Sequence, residues 1–365
     1  VLILIVNAGS SSLKLRVLND EDEIVESADV AAIQGGVDWS TIETTIAAWE
    51  GIDAVGHRIV HGGTRFVAPV RVDASVRATL ETFSDLAPLH QPKSLAALGA
   101  VTALLPEVPA IACFDTAFHA SLPPAASTYA LPAEWRKRWT LRRYGFHGLS
   151  HAYIARRAGT LLDVETTALR IVSCHLGAGA SLAAIANGSS VDTTMGFTPL
   201  EGLVMATRSG SLDPGLMLWL EEHAHMPPGA LAETLEHRSG LLGLSGTADM
   251  AEVLVRMVKG DEAAELAFGV YQHRLRSAIA SMVASMGGID ALVFTGGVGE
   301  HAPIVRSKAA EDLRFLGIEL DEASNIAAVP DCEIGSIGAD VRSLVIAARE
   351  DLQIASEVRQ VLRRE

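Results

Sequence analysis

Apolar residues run unbroken over positions 2–6, stop at Asn7-Ala8-Gly9-Ser10-Ser11-Ser12, and resume in alternation over 13–18. This reads as a strand, a small polar turn and a second strand. The order recurs in mid-chain, where 169–174 leads into His175-Leu176-Gly177-Ala178-Gly179-Ala180-Ser181 and a second apolar run over 182–186. Two such hairpins, one in each half, suggest a duplicated core, although the pattern alone leaves duplication open. Further strands are predicted over 54–60, 110–114 and 291–295, each rich in β-branched or apolar residues. Apolar residues spaced three and four apart predict helices over 75–83, 92–104, 149–162, 214–223, 262–286 and 350–363. Alternating strands and helices imply an α/β architecture.

A length of 365 residues accommodates two domains with separate cores. The formal charge of −15 argues against a general nucleic-acid binder, which needs a positive face. It leaves room for a nucleotide substrate, which needs only a few cations and backbone N–H groups. Three cysteines, Cys113, Cys174 and Cys332, without a CxxC pair suggest neither a metal cluster nor a disulfide framework. The initial apolar run lacks a basic flank and is too short for a signal segment or a membrane span. The expectation is a cytoplasmic protein with no membrane and no nucleic-acid partner.

Candidate chemistry lies where glycine, serine, histidine and isolated arginines meet. The Asn7–Lys14 stretch offers backbone N–H groups, hydroxyls and the Lys14 charge to an anion, without the spacing of a Walker A loop. Arg58, in Gly56-His57-Arg58-Ile59-Val60-His61-Gly62-Gly63, either pairs with a core acid or presents its planar fork to a carboxylate or phosphate. Asp115 follows an apolar strand, where open α/β sheets place functional groups. His147 sits in Tyr144-Gly145-Phe146-His147-Gly148-Leu149-Ser150-His151, just before a helix, and Arg208 in Thr207-Arg208-Ser209-Gly210. Two arginines of this kind suit a reaction between two anions. The strand ending Phe294-Thr295 runs into Gly296-Gly297-Val298-Gly299-Glu300, where bare backbone can lie against a nucleotide.

These motifs together resemble the acetate/propionate kinase family. The resemblance spans essentially the whole chain, in order: VNAGSSSLK (6–14), VGHRIVHGG (55–63), LAPLH (86–90), FDTAFH (114–119), YGFHGLSH (144–151), CHLGAGAS (174–181), MGFTPLEGLVMATRSGS (195–211) and FTGGVGE (294–300). It implies two ribonuclease-H-like domains of the actin-like ATPase superfamily clamping a nucleotide in an interdomain cleft. Domain one would be 1–117 plus 350–365, with the N-terminal phosphate loop and the carboxylate-binding arginine. Domain two would be 118–349, for nucleotide binding and dimerisation. The implied activity is reversible, in-line transfer of the ATP γ-phosphoryl group to acetate, with Mg²⁺ (or Mn²⁺) and ATP/ADP, in a homodimer. Carried over residue by residue, Arg58 would hold the acid and Arg208 would bridge it to the phosphoryl group. His147 would steady the equatorial oxygens and Asp115 would organise the centre. Asn7 and Glu350 would hold the metal. Val60, Leu89, Phe146 and Pro199 would line the methyl pocket. Ser10, Ser12, Lys14, His175, Leu176, Gly177, Ala178 and Gly179 would contact phosphates, with Asp249, Gly297, Val298, Gly299, Glu300 and His301 near the nucleoside.

The chain departs from the family pattern at Ala178, His301 and Arg349, each standing where the family usually has Asn, and at Ala251, in a shortened Asp-x-Arg region after Asp249. These touch nucleotide affinity or choice of donor more than transfer itself. A propionate- or butyrate-preferring kinase, a pyrophosphate-using one, and an actin-like or chaperone-like ATPase switch are the alternatives.

Overall fold

The computed structural model describes residues 1–9, 12–33, 36–37, 39–87 and 91–364. The chain forms two compact units: Val1–Ala120 with His147–Tyr153 and Arg349–Glu365, and Ser121–Phe146 with Ile154–Ala348.

The first unit is built on β1 (Leu2–Ala8), β2 (Ser12–Leu18), β3 (Ile24–Ile33), β4 (Gly36–Val37), β5 (Ile52–Ile59), β6 (Val70–Arg71) and β7 (Ala110–Phe114). Among the described residues they form one sheet in the order β4-β3-β2-β1-β5-β7-β6. β1, β2 and β3 form an antiparallel meander, while β1, β5 and β7 run parallel. β1 is continuously apolar because both its faces are covered. Ile3 and Ile5 pack with Ile354, Ala355 and Val358 of the helix Glu350–Leu362. Leu4 and Val6 point the other way, toward Ala97 and Val101 of the helix Gln91–Leu104.

Gly56 on β5 is what lets the helix Glu350–Leu362 lie so close. A Cβ there would stand 2.5 Å from Ile354 Cγ2 and 2.8 Å from Val358 Cγ2, both on buried residues. Gly56→Ala is expected to cost about 1–3 kcal/mol through overpacking. The check is a lower denaturant midpoint at unchanged slope.

The second unit carries β8 (Arg170–Leu176), β9 (Ala180–Ala186), β10 (Ser189–Thr193), β11 (Ala291–Thr295), β12 (Cys332–Glu333) and β13 (Arg342–Val345), ordered β10-β9-β8-β11-β13-β12. The sense of each pairing repeats the first unit. β8–β9 and β9–β10 are antiparallel, β8–β11 and β11–β13 parallel, and each sheet ends in a two-residue antiparallel strand, β6 or β12. The two hairpins are therefore equivalent parts of a duplicated, actin-like α/β fold. The long helix Glu262–Met286 buries one face, Ala264, Ala267, Phe268, Tyr271, Leu275 and Ile279 among it. Asp261 caps its start by accepting from the Ala263 and Ala264 N–H groups, and Gly287 ends it at φ 68°.

The helices expected at 214–223 and 262–286 form over those residues, and the others agree to within about two residues at their ends. Two expectations need correction. His175 and Leu176 belong to β8, leaving the turn to Gly177–Gly179, and the glycine stretch after β11 coils into the short helix Gly296–His301. Among the described residues, no helix is long and apolar enough to cross a membrane.

Candidate active site

Three neighbouring parallel strands of the first unit end at the same edge of the sheet. Val6 of β1 is in register with His57 of β5, and Ile59 of β5 with Phe114 of β7. The residues around these ends, Asn7, Arg58 and Asp115, are thereby brought together at the carboxyl ends of the strands. Glu350 joins them as the first residue of the helix that covers this face of the sheet.

Arg58 organises the cluster. Its Nε donates to both oxygens of Asp115 at 3.1 Å, and its Nη2 donates to Asp115 Oδ2 at 2.7 Å. Nη1 donates to Asn7 Oδ1 at 3.1 Å and lies 3.9 Å from Glu350 Oε2. Asn7 Nδ2 donates to that same Glu350 oxygen at 2.8 Å. Of the two readings open for Arg58, pairing with a buried acid is therefore real: the Asp115 side chain is only 2% exposed. Burial opposes the charge on Arg58, but Asp115 and Glu350 more than offset it and raise its pKa. For Asp115, burial pushes the carboxyl up while the Arg58 guanidinium pulls it down. Lys14 stands opposite Asn7 across the β1–β2 pair, with its side chain exposed.

His147 has φ 56°, in the left-handed region that non-glycine residues seldom occupy. It directly precedes the helix Gly148–Leu162, and the Gly148 N–H donates to the Asp115 carbonyl at 2.8 Å. A Cβ on Gly148 would sit 2.3 Å from that carbonyl oxygen. Glycine here lets the His147 turn close onto the end of β7, and the left-handed backbone marks the strain often held at functional sites.

His57 neighbours Arg58 but points to the opposite face of the sheet. It is 1% exposed, and among the described residues neither ring nitrogen has a hydrogen-bond partner. Burial pushes its pKa down to about 3, and that of His61 down to about 4. Both rings are neutral in the fold, whereas an unfolded chain would protonate them near pH 6.5. Their neutral burial is harmless above about pH 6.5, and stability is lost as the pH falls from there toward 3. For His57 alone the loss is on the order of 3–5 kcal/mol. His57→Gln is expected to flatten the fall of melting temperature between about pH 6 and 4. An unchanged slope would contradict this.

In the second unit, Arg208 Nε lies 3.0 Å from Glu236 Oε2, a residue of the helix Pro228–His237. Arg208 Nη1 reaches the Pro199 carbonyl at 3.5 Å. Burial lowers the Arg208 pKa, and Glu236 opposes that shift. The Ala206 N–H donates to the Ala178 carbonyl at 3.1 Å, tying the Arg208 segment to the Gly177–Gly179 turn. Gly296, at φ 77°, presses on the end of β8, where a Cβ would meet the Leu176 carbonyl at 2.8 Å. Glu300 Oε1 accepts from the Gly296 and Ala348 N–H groups, both at 2.9 Å. Gly297 has open space where a side chain would be.

The remaining expected residues fall out as follows. Val60 and Phe146 are buried and Pro199 half-buried, while Ser10 and Leu89 lie outside the described residues. Ser12 opens β2. Asp249 is exposed and caps the helix Met250–Val258, its carboxylate accepting from the Ala251 N–H at 2.9 Å. Arg349 is held by Asp351 in a two-pronged pair. His301 is exposed at the end of its short helix, with Val298 and Gly299 inside that helix. Sequence reasoning missed Glu236, for which no local signal exists. It also passed over Glu201, although that residue lies within the 195–211 motif.

Comparison with known proteins points to one family. The acetokinase family model matches residues 21–356. The chain is 48% identical to the acetate kinase of Microcystis aeruginosa over 84% of its own length and 76% of that protein's. It is similar to the crystal structure of Porphyromonas gingivalis acetate kinase, with TM-score 0.90 and 35% identity over 99% of each chain. It is as similar to a propionate kinase from Francisella tularensis, with TM-score 0.91 and 34% identity over 98% of each. With the duplicated sheets and the strand-end cluster both in place, the chain belongs to the acetokinase family.

Proposed function

We propose that the chain is a phosphotransferase with a carboxyl acceptor, moving the γ-phosphoryl group of ATP to acetate and back. The observation that carries this reading is the Asn7–Arg58–Asp115–Glu350 cluster at the strand ends. Asp115 holds Arg58 along its Nε–Nη2 edge and Asn7 takes one Nη1 hydrogen. Among the described residues, one N–H on each terminal nitrogen is left for a second carboxylate. A guanidinium locked in plane by a buried acid is well prepared to bind an acid in two-pronged fashion.

A carboxylate acceptor is already ionised at pH 7 and needs no base to activate it. What it needs is cationic charge to offset repulsion by the incoming phosphoryl group. Arg58 orients the acid, Arg208 stabilises charge on the group in transfer, and His147 donates to its equatorial oxygens. Asp115 acts as an organiser of Arg58 rather than as a base. Phe146 and Pro199 in the second unit, and Val60 in the first, are the proposed contacts of the methyl group. Lys14, Ser10, Ser12 and the Gly177–Gly179 turn with His175 and Leu176 contact phosphates. Asp249 and the Gly297–Glu300 segment with His301 lie toward the nucleoside.

The oxygen donors Asn7 Oδ1 and Glu350 suit Mg²⁺, which commonly takes one or two protein oxygens and completes its shell with water and substrate phosphate. Bound there with the nucleotide, such an ion would offset the negative charge of the phosphates. We also propose a homodimer in the cytoplasm, joined through the second unit. Leu216, Leu218 and Trp219, exposed on the helix Pro214–His223, support an interface there.

The test is trapping of acyl phosphate by hydroxylamine, with acetate, propionate and butyrate, each with ATP and with pyrophosphate. Acetyl hydroxamate formed with ATP supports the proposal. ATP hydrolysis without acyl phosphate from any acid would replace it with a nucleotide switch. The matching likeness to a propionate kinase favours one second reading, a preference for the longer acid, which the same assay ranks.

A further inference from the structure

Two stretches of the second unit that carry the proposed methyl-pocket residues belong to no strand or helix: 140–146, with Phe146, and 194–200, with Pro199. Their backbone groups still need partners. The Tyr144 and Gly145 N–H groups both donate to the Gly196 carbonyl, at 3.0 and 3.3 Å. Further support comes from three side chains that the proposed chemistry does not use.

Arg143, Glu201 and Tyr129 form a linked cluster. Arg143 Nη2 donates to Glu201 Oε1 at 2.7 Å, and Tyr129 Oη donates to Glu201 Oε2 at 2.5 Å. The Arg143 guanidinium lies 5.6 Å from the centre of the Tyr129 ring. Two members also hold the 194–200 backbone. Arg143 Nη1 donates to the Thr194 and Met195 carbonyls, both at 3.1 Å, and Tyr129 Oη accepts from the Phe197 N–H at 2.8 Å. Burial, then the hydrogen bond to Glu201, raises the Tyr129 pKa, so the phenol keeps the proton it donates. The cluster closes so tightly over Gly196 that a Cβ there would lie 1.7 Å from Glu201 Oε2 and 2.2 Å from Tyr129 Oη.

We propose that Tyr129, Glu201 and Arg143 are positioning residues that fix the Phe146 and Pro199 stretches against each other, and so set the length of acid the pocket accepts. This rests on the reading of the chain as a carboxylate kinase. Arg143 precedes Phe146 by three residues, and Glu201 follows Pro199 by two, so the cluster clamps both stretches close to the residues that would touch the acyl chain. Loosening it lets the wall retreat. That weakens the fit of a short acid and admits a longer one, because a pocket discriminates single methylenes only while its walls are fixed.

The experiment compares Glu201→Gln and Tyr129→Phe with the wild-type enzyme. It measures kcat and KM for acetate, propionate and butyrate at saturating ATP, KM for ATP, and the melting temperature. The expected result is a rise of KM for acetate of about tenfold. The preference for butyrate over acetate, as a ratio of kcat/KM, should rise about fivefold or more, on the scale of one methylene. KM for ATP should stay within about twofold. Equal loss for all three acids, or a lower melting temperature with unchanged selectivity, would overturn the proposal. Tyr129→Phe keeps the ring and removes only the hydroxyl, so it decides the matter if Glu201→Gln fails to fold. A wild-type enzyme that forms acyl phosphate from none of the acids would instead refute the underlying function.

Discussion

Arg58→Ala is expected to lower turnover at least about 10²-fold, the scale of removing a key donor to the transition state, and to destabilise the first unit as well. The two effects have separate causes. On the proposed role, turnover would fall because the acid would lose the two-pronged grip that sets its oxygen in line with the phosphoryl group. Stability falls because Asp115, whose side chain is 2% exposed, is left without the guanidinium that compensates it. Breaking a buried pair from one side typically costs about 3–5 kcal/mol. Arg58→Gln combined with Asp115→Asn removes both charges and should recover most of the melting temperature while leaving activity lost. Arg58→Lys should also fail to restore turnover, since an ammonium cannot bind Asp115 along one edge and an acid along another. Near-wild-type rates of acyl phosphate formation in Arg58→Ala would remove the central assignment.

Arg208→Ala is the second large expected effect, again at least about 10²-fold in turnover. Arg208 already sits against Glu236 at 3.0 Å. If its contribution is charge on the transferring group, Glu236→Gln should keep the arginine's charge and lower turnover by no more than about tenfold, since a positioning hydrogen bond is worth less than the charge it positions. If Arg208 were only a structural partner of Glu236, both variants would lose stability alike and neither would lose turnover selectively. Steady-state kinetics on both, with melting temperatures, separate the two cases.

Much of this arrangement is legible in the sequence, for identifiable reasons. The hairpins show because their turns are small and polar between apolar runs, and the long helix 262–286 because its apolar residues recur three and four apart. Arg58, Asp115 and Arg208 stand out because charge seldom follows an apolar strand or sits among glycines without cause. What escapes is tertiary. β4, β6 and β12 are two residues each, too short for any periodicity. Glu236 looks like any acid on a helix until Arg208 folds against it. Tyr129 and Arg143 lie in stretches without pattern, where the backbone takes its order from side chains distant in sequence. Whether Arg58 serves a core acid or a substrate could not be decided from the chain alone. The geometry explains why: its guanidinium has edges enough for both.

The helix Glu350–Leu362 has a consequence for how the molecule is made. It covers the β1–β5–β7 face with Ile354, Ala355 and Val358, and it brings Glu350 to Asn7, a partner 343 residues away in the chain. During synthesis β1 emerges 343 residues ahead of Glu350, so one apolar face of the sheet stays uncovered until that helix is made. Nascent chains stalled before position 350 should therefore bind chaperones and resist refolding, and the carboxylate that completes the cluster arrives only with the segment that seals the core.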